Sequence, residues 1–239
     1  MVDRASLKEL EKWYDKEYKE RGEDFGVSIN AYLQFAPYLG IPLGDPTVPD
    51  DEKIPVLDVA CGQGYMLDIL YTFYNTICYG TEISKEAIKL TKEICPDAIV
   101  RKCPAEKIGF SNKMFKHIIC IGSLEHFNDI DQSLLEMNRV GDDDCTYCIL
   151  VPNKSSWWHN HTEQEEINET FYSMKEWSKI FNRNGFKITR IHRDRWHIEK
   201  PQSKLKKLLN YLTPKRYFHS LVFILRKDRY GEYQSKIFN

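Results

Sequence analysis

From position 54 onward, short apolar runs alternate with longer stretches whose apolar residues recur at helical spacing. The short runs are Ile54–Ala60, Ile77–Glu82, Ala98–Lys102, Lys116–Ile121, Thr146–Val151, Phe186–Arg193 and Tyr217–Arg226, and each reads as a strand. Between them, Tyr65–Tyr74, Ser84–Ile94, Asp131–Arg139 and Ser173–Asn184 read as helices. Ser84 and Ser173 are N-caps for two of these, and Gly185 closes the last. Ser203–Tyr211 reads as a further, basic helix. Alternation of this kind predicts a doubly wound α/β domain with helices on both faces of a mostly parallel sheet. Its ligands bind at the carboxyl ends of the strands.

Ahead of this pattern, Ala5–Arg21 carries Leu7, Leu10, Trp13, Tyr14 and Tyr18 near helical spacing. Ser28–Leu39 predicts a second helix, and Gly40–Lys53, with its prolines and acids, a loop. Residues 1–53 are thus expected to form a helical cap on one domain spanning 54–239, with a basic helical insertion at about 199–215.

Composition changes this picture little. The 239 residues, 42% hydrophobic and 29% charged, suit a single globular domain. The net charge of −1 argues against general electrostatic capture of nucleic acid. Basic residues concentrate between Lys187 and Arg229, which suits either a solvated face or a surface for phosphate, an anionic membrane or a nucleic acid. Seven cysteines, scattered through apolar runs, point to buried thiols in a reducing cytoplasm. Cys145 and Cys148 lie three apart in a predicted strand, so they face opposite sides and do not share a metal. No leader and no apolar run long enough to span a membrane is expected.

Candidate chemistry sits first in Val56-Leu57-Asp58-Val59-Ala60-Cys61-Gly62-Gln63-Gly64, between a strand and a helix. The glycines permit a tight turn with close backbone approach to a ligand, and the helix start offers free N–H groups. Glu82 ends the next strand about 18 residues after Gly64, the place of a ribose-binding acid. Leu67 stands where a nicotinamide-binding loop has its third glycine. With Pro104-Ala105-Glu106 and Ile121-Gly122-Ser123-Leu124-Glu125-His126, these segments resemble the class I, Rossmann-like methyltransferases that use S-adenosylmethionine, especially the small-molecule branch.

That resemblance implies a seven-stranded sheet whose last strand inserts antiparallel. It implies that Asp58, Ala60, Cys61, Gly62, Gln63 and Gly64 surround the methionine part of S-adenosylmethionine. Glu82 would hold the ribose hydroxyls, and Ile83, Ala105 and Glu106 the adenine. Ile121 and Gly122 would lie beside the methyl group, and the cap helix would bring Tyr14, Tyr18 and Arg21 over the cofactor. His126 is the first candidate for a general base, with Glu125 the alternative; a packing role for His126 is the competing reading. Trp157, Trp158, His159 and His161 follow the fifth strand and are candidates to line the acceptor site. His159 and His161 lack further well-spaced ligands, so no metal is expected. Trp177, beside Ile180 and Phe181, reads as core.

The expected activity is methyl transfer to a small-molecule or glycan acceptor, chiefly O-methylation of a sugar or sugar nucleotide. The C-terminal basic stretch resembles methyltransferases of surface-polysaccharide synthesis. An RNA methyltransferase and a non-catalytic cofactor-binding scaffold are the alternatives. A phosphate-bearing acceptor, peripheral membrane contact and self-association all remain compatible, and a nucleic-acid partner is not expected.

Overall fold

The computed structural model describes residues 4–22, 25, 29–45, 48–156, 167–193 and 214–228. The strands are β1 (Ile54–Val59), β2 (Thr76–Glu82), β3 (Ile99–Lys102), β4 (Phe115–Ile121), β5 (Gly141–Pro152), β6 (Phe186–Arg193) and β7 (Ser220–Lys227). The α-helices are α1 (Leu7–Arg21), α2 (Ile29–Tyr32), α3 (Tyr65–Phe73), α4 (Lys85–Ile94), α5 (Ile130–Val140) and α6 (Met174–Arg183). All seven strands form one sheet, ordered β3-β2-β1-β4-β5-β7-β6. The pairs among β1 to β5 are parallel, whereas β7 runs antiparallel between β5 and β6. The chain leaves β1 toward β2 on one side and returns to β4 on the other, so the switch point lies at the carboxyl end of β1.

Alternation along the strands sorts the core into two layers. Leu57, Val59, Cys120, Cys145 and Tyr147 face the layer shared with α5 and α6. Val56, Cys148 and Leu150 face the opposite layer, with α3 and the segment around Phe35 to Ile41. Cys145 and Cys148 therefore stand on opposite sides of the sheet. Trp177 is fully buried, and its indole N–H donates to Pro152 O at 3.0 Å, as befits core.

Three boundaries differ from the sequence expectation. The helix expected over Ser28–Leu39 is a single turn, α2, followed by a 3₁₀ turn at Ala36–Leu39. Pro37 lacks an N–H and disfavours helix at the residue before it, which prevents one continuous helix. Strand β5 begins at Gly141 rather than Thr146, and its pairing with β4 shifts register between Phe115 and His117. Such an irregularity hides the added strand length from a period-2 reading. Finally, β7 starts at Ser220, because Lys215–Tyr217 is a 3₁₀ turn. The basic helix expected at Ser203–Tyr211, and most of the insertion at about 199–215, lie outside the described residues. Among the described residues no helix is long and apolar enough to cross a membrane.

Candidate active site

A cleft of about 400 Å³ opens at the carboxyl ends of β1, β2 and β4, beneath α1. Its floor is the turn that follows β1. Ala60, Gly62 and Gly64 all take positive φ there, at 59°, 54° and 86°. At Gly62 a Cβ would lie 2.7 Å from Tyr18 Oη, so any side chain there would both strain the backbone and press on the tip of Tyr18. Gly64 is the N-cap of α3. The turn is tied to its neighbours by Cys61 N–H donating to Thr81 O at 2.9 Å and Thr91 Oγ1 donating to Gly62 O at 2.6 Å.

Glu82 stands at the end of β2, 5% exposed. Its Oε2 accepts from Gly62 N at 2.9 Å, and its Oε1 from Ile83 N at 2.7 Å and Ser84 N at 2.9 Å. Burial pushes this carboxyl above the ordinary value, while those backbone donors pull it back. Its field, after burial itself, helps raise the Tyr18 hydroxyl well above its usual range.

Helix α1 crosses the cleft and is held along its length. Ser6 caps it in a reciprocal capping box with Glu9. At its N-terminal end Arg4 donates to the carbonyls of Phe127 and Asn128, and Ala5 N to Asn168 Oδ1 at 2.9 Å. Midway, Asp15 Oδ1 accepts from Ser84 Oγ at 2.7 Å and Glu86 N at 3.3 Å. A carboxylate from α1 thus sits at the N-terminus of α4, where the helix dipole favours it. At the far end Gln63 Nε2 donates to the carbonyls of Gly22 and Phe25. Leu10, Tyr14, Tyr18 and Arg21 line the cleft from above.

Of the residues expected to hold the cofactor, Ala60, Gly62, Gln63, Glu82, Ile83, Ala105, Glu106, Ile121 and Gly122 line the cleft. Asp58, Cys61 and Gly64 do not appear among its walls. Asp58 is 3% exposed within β1, on the face of Val56. Cys61 Sγ packs behind the turn, where a Cβ on Gly80 would come within 2.8 Å of it. Gly64 faces Thr91 of α4, whose Cγ2 lies 2.5 Å from where a Cβ would be. These residues shape the turn from behind; side-chain alternation, invisible in a motif, decides which members face the ligand.

Burial first, then Glu82, pushes the Asp58 carboxyl well above the usual carboxylate range. An acid raised in the folded state binds protons more readily folded than unfolded, so its contribution favours the fold at low pH. That contribution is lost as pH rises from the ordinary carboxylate range through the raised value. Asp58→Asn is therefore expected to gain stability over the wild type across that window, by up to roughly 3 °C in Tm per pH unit. Thermal melts of both proteins between pH 4 and pH 8 check this; a constant difference would refute it.

At the other end of the cleft stand Glu125 and His126, each 5% exposed, in the 3₁₀ turn after β4. His126 Nδ1 lies 3.0 Å from Ile167 O. A carbonyl only accepts, so Nδ1 carries the proton and Nε2 of the neutral ring holds the lone pair. The Glu125 carbonyl accepts from Thr170 N at 3.1 Å. Tyr32, Gln34, Glu169, His219 and Ser220 also line the cleft. The sequence reading missed these five. His219 enters because fully buried Asn153, just after β5, accepts Ser155 N and donates to the carbonyls of Arg216 and Phe218 at 2.9 and 2.8 Å, holding the turn before β7. A buried asparagine amid irregular backbone is the available signal for such a clamp. Trp157, Trp158, His159 and His161 lie outside the described residues. Among the described residues no group of three or more histidines, cysteines and acids is placed to hold a metal.

The cleft fits a nucleoside-bearing cofactor. Gly62 leaves open backbone where a side chain would intrude, Glu82 presents a fixed carboxylate, and two cleft-lining acceptors, Gln63 Oε1 and Thr81 Oγ1, are buried without a hydrogen-bond partner among the described residues. Sheet order and turn together define a Rossmann-like fold with its cleft at the carboxyl ends of the strands. Residues 57–149 match the methyltransferase domain family. An uncharacterised protein of Methanocaldococcus jannaschii is 38% identical over 99 residues, covering 41% of this chain and 37% of that protein's length. The uncharacterised methyltransferase YcgJ of Bacillus subtilis is 22% identical over 205 residues, 80% of this chain and 73% of its own. Among solved structures, the 1,6-didemethyltoxoflavin-N1-methyltransferase of Burkholderia thailandensis, with 1,6-didemethyltoxoflavin and S-adenosylhomocysteine bound, shares the fold. Its TM-score is 0.61 at 16% identity, covering 95% of this chain and 92% of that one.

Proposed function

We propose that the protein transfers the methyl group of S-adenosylmethionine to a small-molecule acceptor seated at the His126 end of the cleft. The observation that supports this best is the continuity of one cavity from Glu82 to His126. S-adenosylmethionine, when bound, supplies a methyl group already activated by its sulfonium. The protein's part is then to align the acceptor at near-attack distance and to take its proton. Glu82 orients the ribose; three of its roughly four lone-pair directions already accept backbone N–H groups, which leaves one, on Oε2, for a hydroxyl. Ile83, Ala105 and Glu106 form the adenine end, and Ile121 and Gly122 border the methyl group. Nε2 of His126 receives the acceptor's proton.

The finer reading is a sugar hydroxyl as acceptor. Its support is the sequence after β5 and the basic C-terminal stretch. Among the described lining residues, Glu82, Glu106, Glu125 and Glu169 face a single Lys or Arg, Arg21. This balance favours an uncharged acceptor over a phosphate-bearing one.

Calorimetric titration with S-adenosylmethionine and, separately, NAD tests the proposal. Micromolar binding of the first alone is expected; binding of NAD alone defeats it. In a screen of neutral sugars, with sugar nucleotides as the charged comparison, and radiolabelled S-adenosylmethionine, His126→Ala is expected to keep cofactor affinity and lose about 10²–10⁴-fold in turnover. Unchanged turnover removes His126 as the base.

A further inference from the structure

Gln63 lines the cleft, is 4% exposed, and has two chemically distinct ends in two different settings. One end of its carboxamide faces the carbonyl oxygens of Gly22 and Phe25, at 2.7 and 2.8 Å. Carbonyls only accept, so that end is the amide nitrogen, and both of its hydrogens are used. Chemistry thus fixes the orientation of an amide whose two ends look alike. The opposite end is the oxygen Oε1, buried without a hydrogen-bond partner among the described residues. A buried acceptor left in this condition costs free energy that a donor in the cleft would recover.

A neighbouring cation narrows the identity of that donor. Arg21, at the end of α1, also lines the cleft, and its guanidinium lies 4.8 Å from the centre of the Phe25 ring. Phe25 is the residue whose carbonyl Gln63 holds. A buried acceptor and a cation lining one cleft match an amino-acid zwitterion: the ammonium goes to Oε1 and the carboxylate to Arg21, whose guanidinium also faces Glu17 at 3.5 Å.

We infer that Gln63 Oε1 accepts a hydrogen bond from the α-ammonium of the cofactor, so that one carboxamide joins the bound cofactor to the C-terminal end of α1. This rests on the S-adenosylmethionine reading above and adds an atom and a consequence. A cation donating to Oε1 polarises the amide and strengthens its two N–H bonds to Gly22 and Phe25. By reciprocity, whatever tightens α1 over the cleft also tightens the cofactor. Gln63 is in this sense a positioning residue for α1 as well as a ligand for the cofactor.

A double-mutant cycle isolates the contact. S-adenosylhomocysteine and its analogue with hydrogen in place of the α-ammonium are titrated calorimetrically into the wild type and Gln63→Met. In the wild type, loss of the ammonium is expected to weaken binding about tenfold or more. In Gln63→Met the two ligands are expected to bind within about threefold of each other. An ammonium worth the same in both proteins overturns the inference, and Gln63→Asn repeats the cycle if methionine distorts the turn. S-adenosylhomocysteine is further expected to slow tryptic cleavage at Lys19 of α1 more than the analogue does in the wild type. Equal protection by both ligands overturns the coupling to α1. A wild type that binds neither ligand overturns the cofactor reading itself, and the inference with it.

Discussion

Gly62→Arg is expected to abolish S-adenosylmethionine binding, by at least about 100-fold, while the protein still folds. Two independent constraints act at this residue. Its φ of 54° is one that only glycine adopts without cost, and any other residue there stores of order 1–3 kcal/mol. Any Cβ would also stand 2.7 Å from Tyr18 Oη, so the Tyr18 ring must shift, and for a side chain as long as arginine α1 or the turn must shift with it. Gly62 N is meanwhile a donor to Glu82, and displacement of the turn breaks that bond. The sheet tolerates the change because the turn lies beyond β1, and the strain is small against the burial of two full core layers. Circular dichroism should therefore stay native and Tm fall by no more than about 8 °C. Calorimetry should register no cofactor binding; wild-type affinity in the variant would mean that the turn is not the cofactor's cradle. Gly62→Ala makes a graded control. Its single methyl meets only the tip of Tyr18, so adding Tyr18→Phe should restore part of the lost affinity, and the residual loss measures the backbone strain.

The same residues show what a sequence exposes and what it conceals. The β1 turn was readable because its constraints are local: glycines at fixed spacing, an apolar run before, a helix after. Ser84 and Ser173 announced their helices for the same reason, since a cap acts within three residues, on Ala87 and Glu176. The doubly wound, mostly parallel architecture followed from alternation and crossover handedness rather than from any single residue, whereas the antiparallel last strand came only from the family resemblance. Concealed were the contacts that join distant positions. Nothing local about Asp15 shows that it accepts from Ser84, and nothing about Asn153 shows that it carries His219 to the cleft. Burial direction was equally hidden. Asp58, Cys61 and Gly64 belong to the motif as surely as Gly62 does, yet the pleat of β1 and the packing of α4 turn them away from the cavity. The fold was thus legible from patterns repeated along the chain. Much of the rest of the cleft was not, because it is assembled from residues of four separate segments: Tyr32 and Gln34, Leu150 and Pro152, Glu169, and His219 and Ser220.

Glu82→Ala is expected to cost stability as well as cofactor affinity, which sets it apart from a residue that serves the ligand alone. Its carboxylate accepts from Gly62, Ile83 and Ser84, and truncation leaves these three N–H groups buried with no acceptor. At roughly 1 kcal/mol for each lost partner, the sum is about 3 kcal/mol. Relief of the buried charge, whose carboxyl burial holds above its ordinary value, offsets part of this. A fall in Tm of roughly 5–10 °C follows for a domain of this size. Glu82→Gln separates the two roles. Its amide oxygen still serves Ile83 and Ser84 from the Oε1 position, but its –NH2 then opposes the N–H of Gly62. The glutamine variant should therefore keep most of the stability and lose the fixed position of Gly62. Without a carboxylate oxygen for the ribose, S-adenosylhomocysteine affinity should drop about 10- to 100-fold in Glu82→Gln, and further in Glu82→Ala. Thermal melts and calorimetry on the same preparations decide the matter. If both variants melt like the wild type, Glu82 does not hold the turn; if both bind S-adenosylhomocysteine normally, the ribose is held elsewhere. The expected pattern, stability lost chiefly in alanine and affinity lost in both, requires one carboxylate to shape the cradle and to fill it.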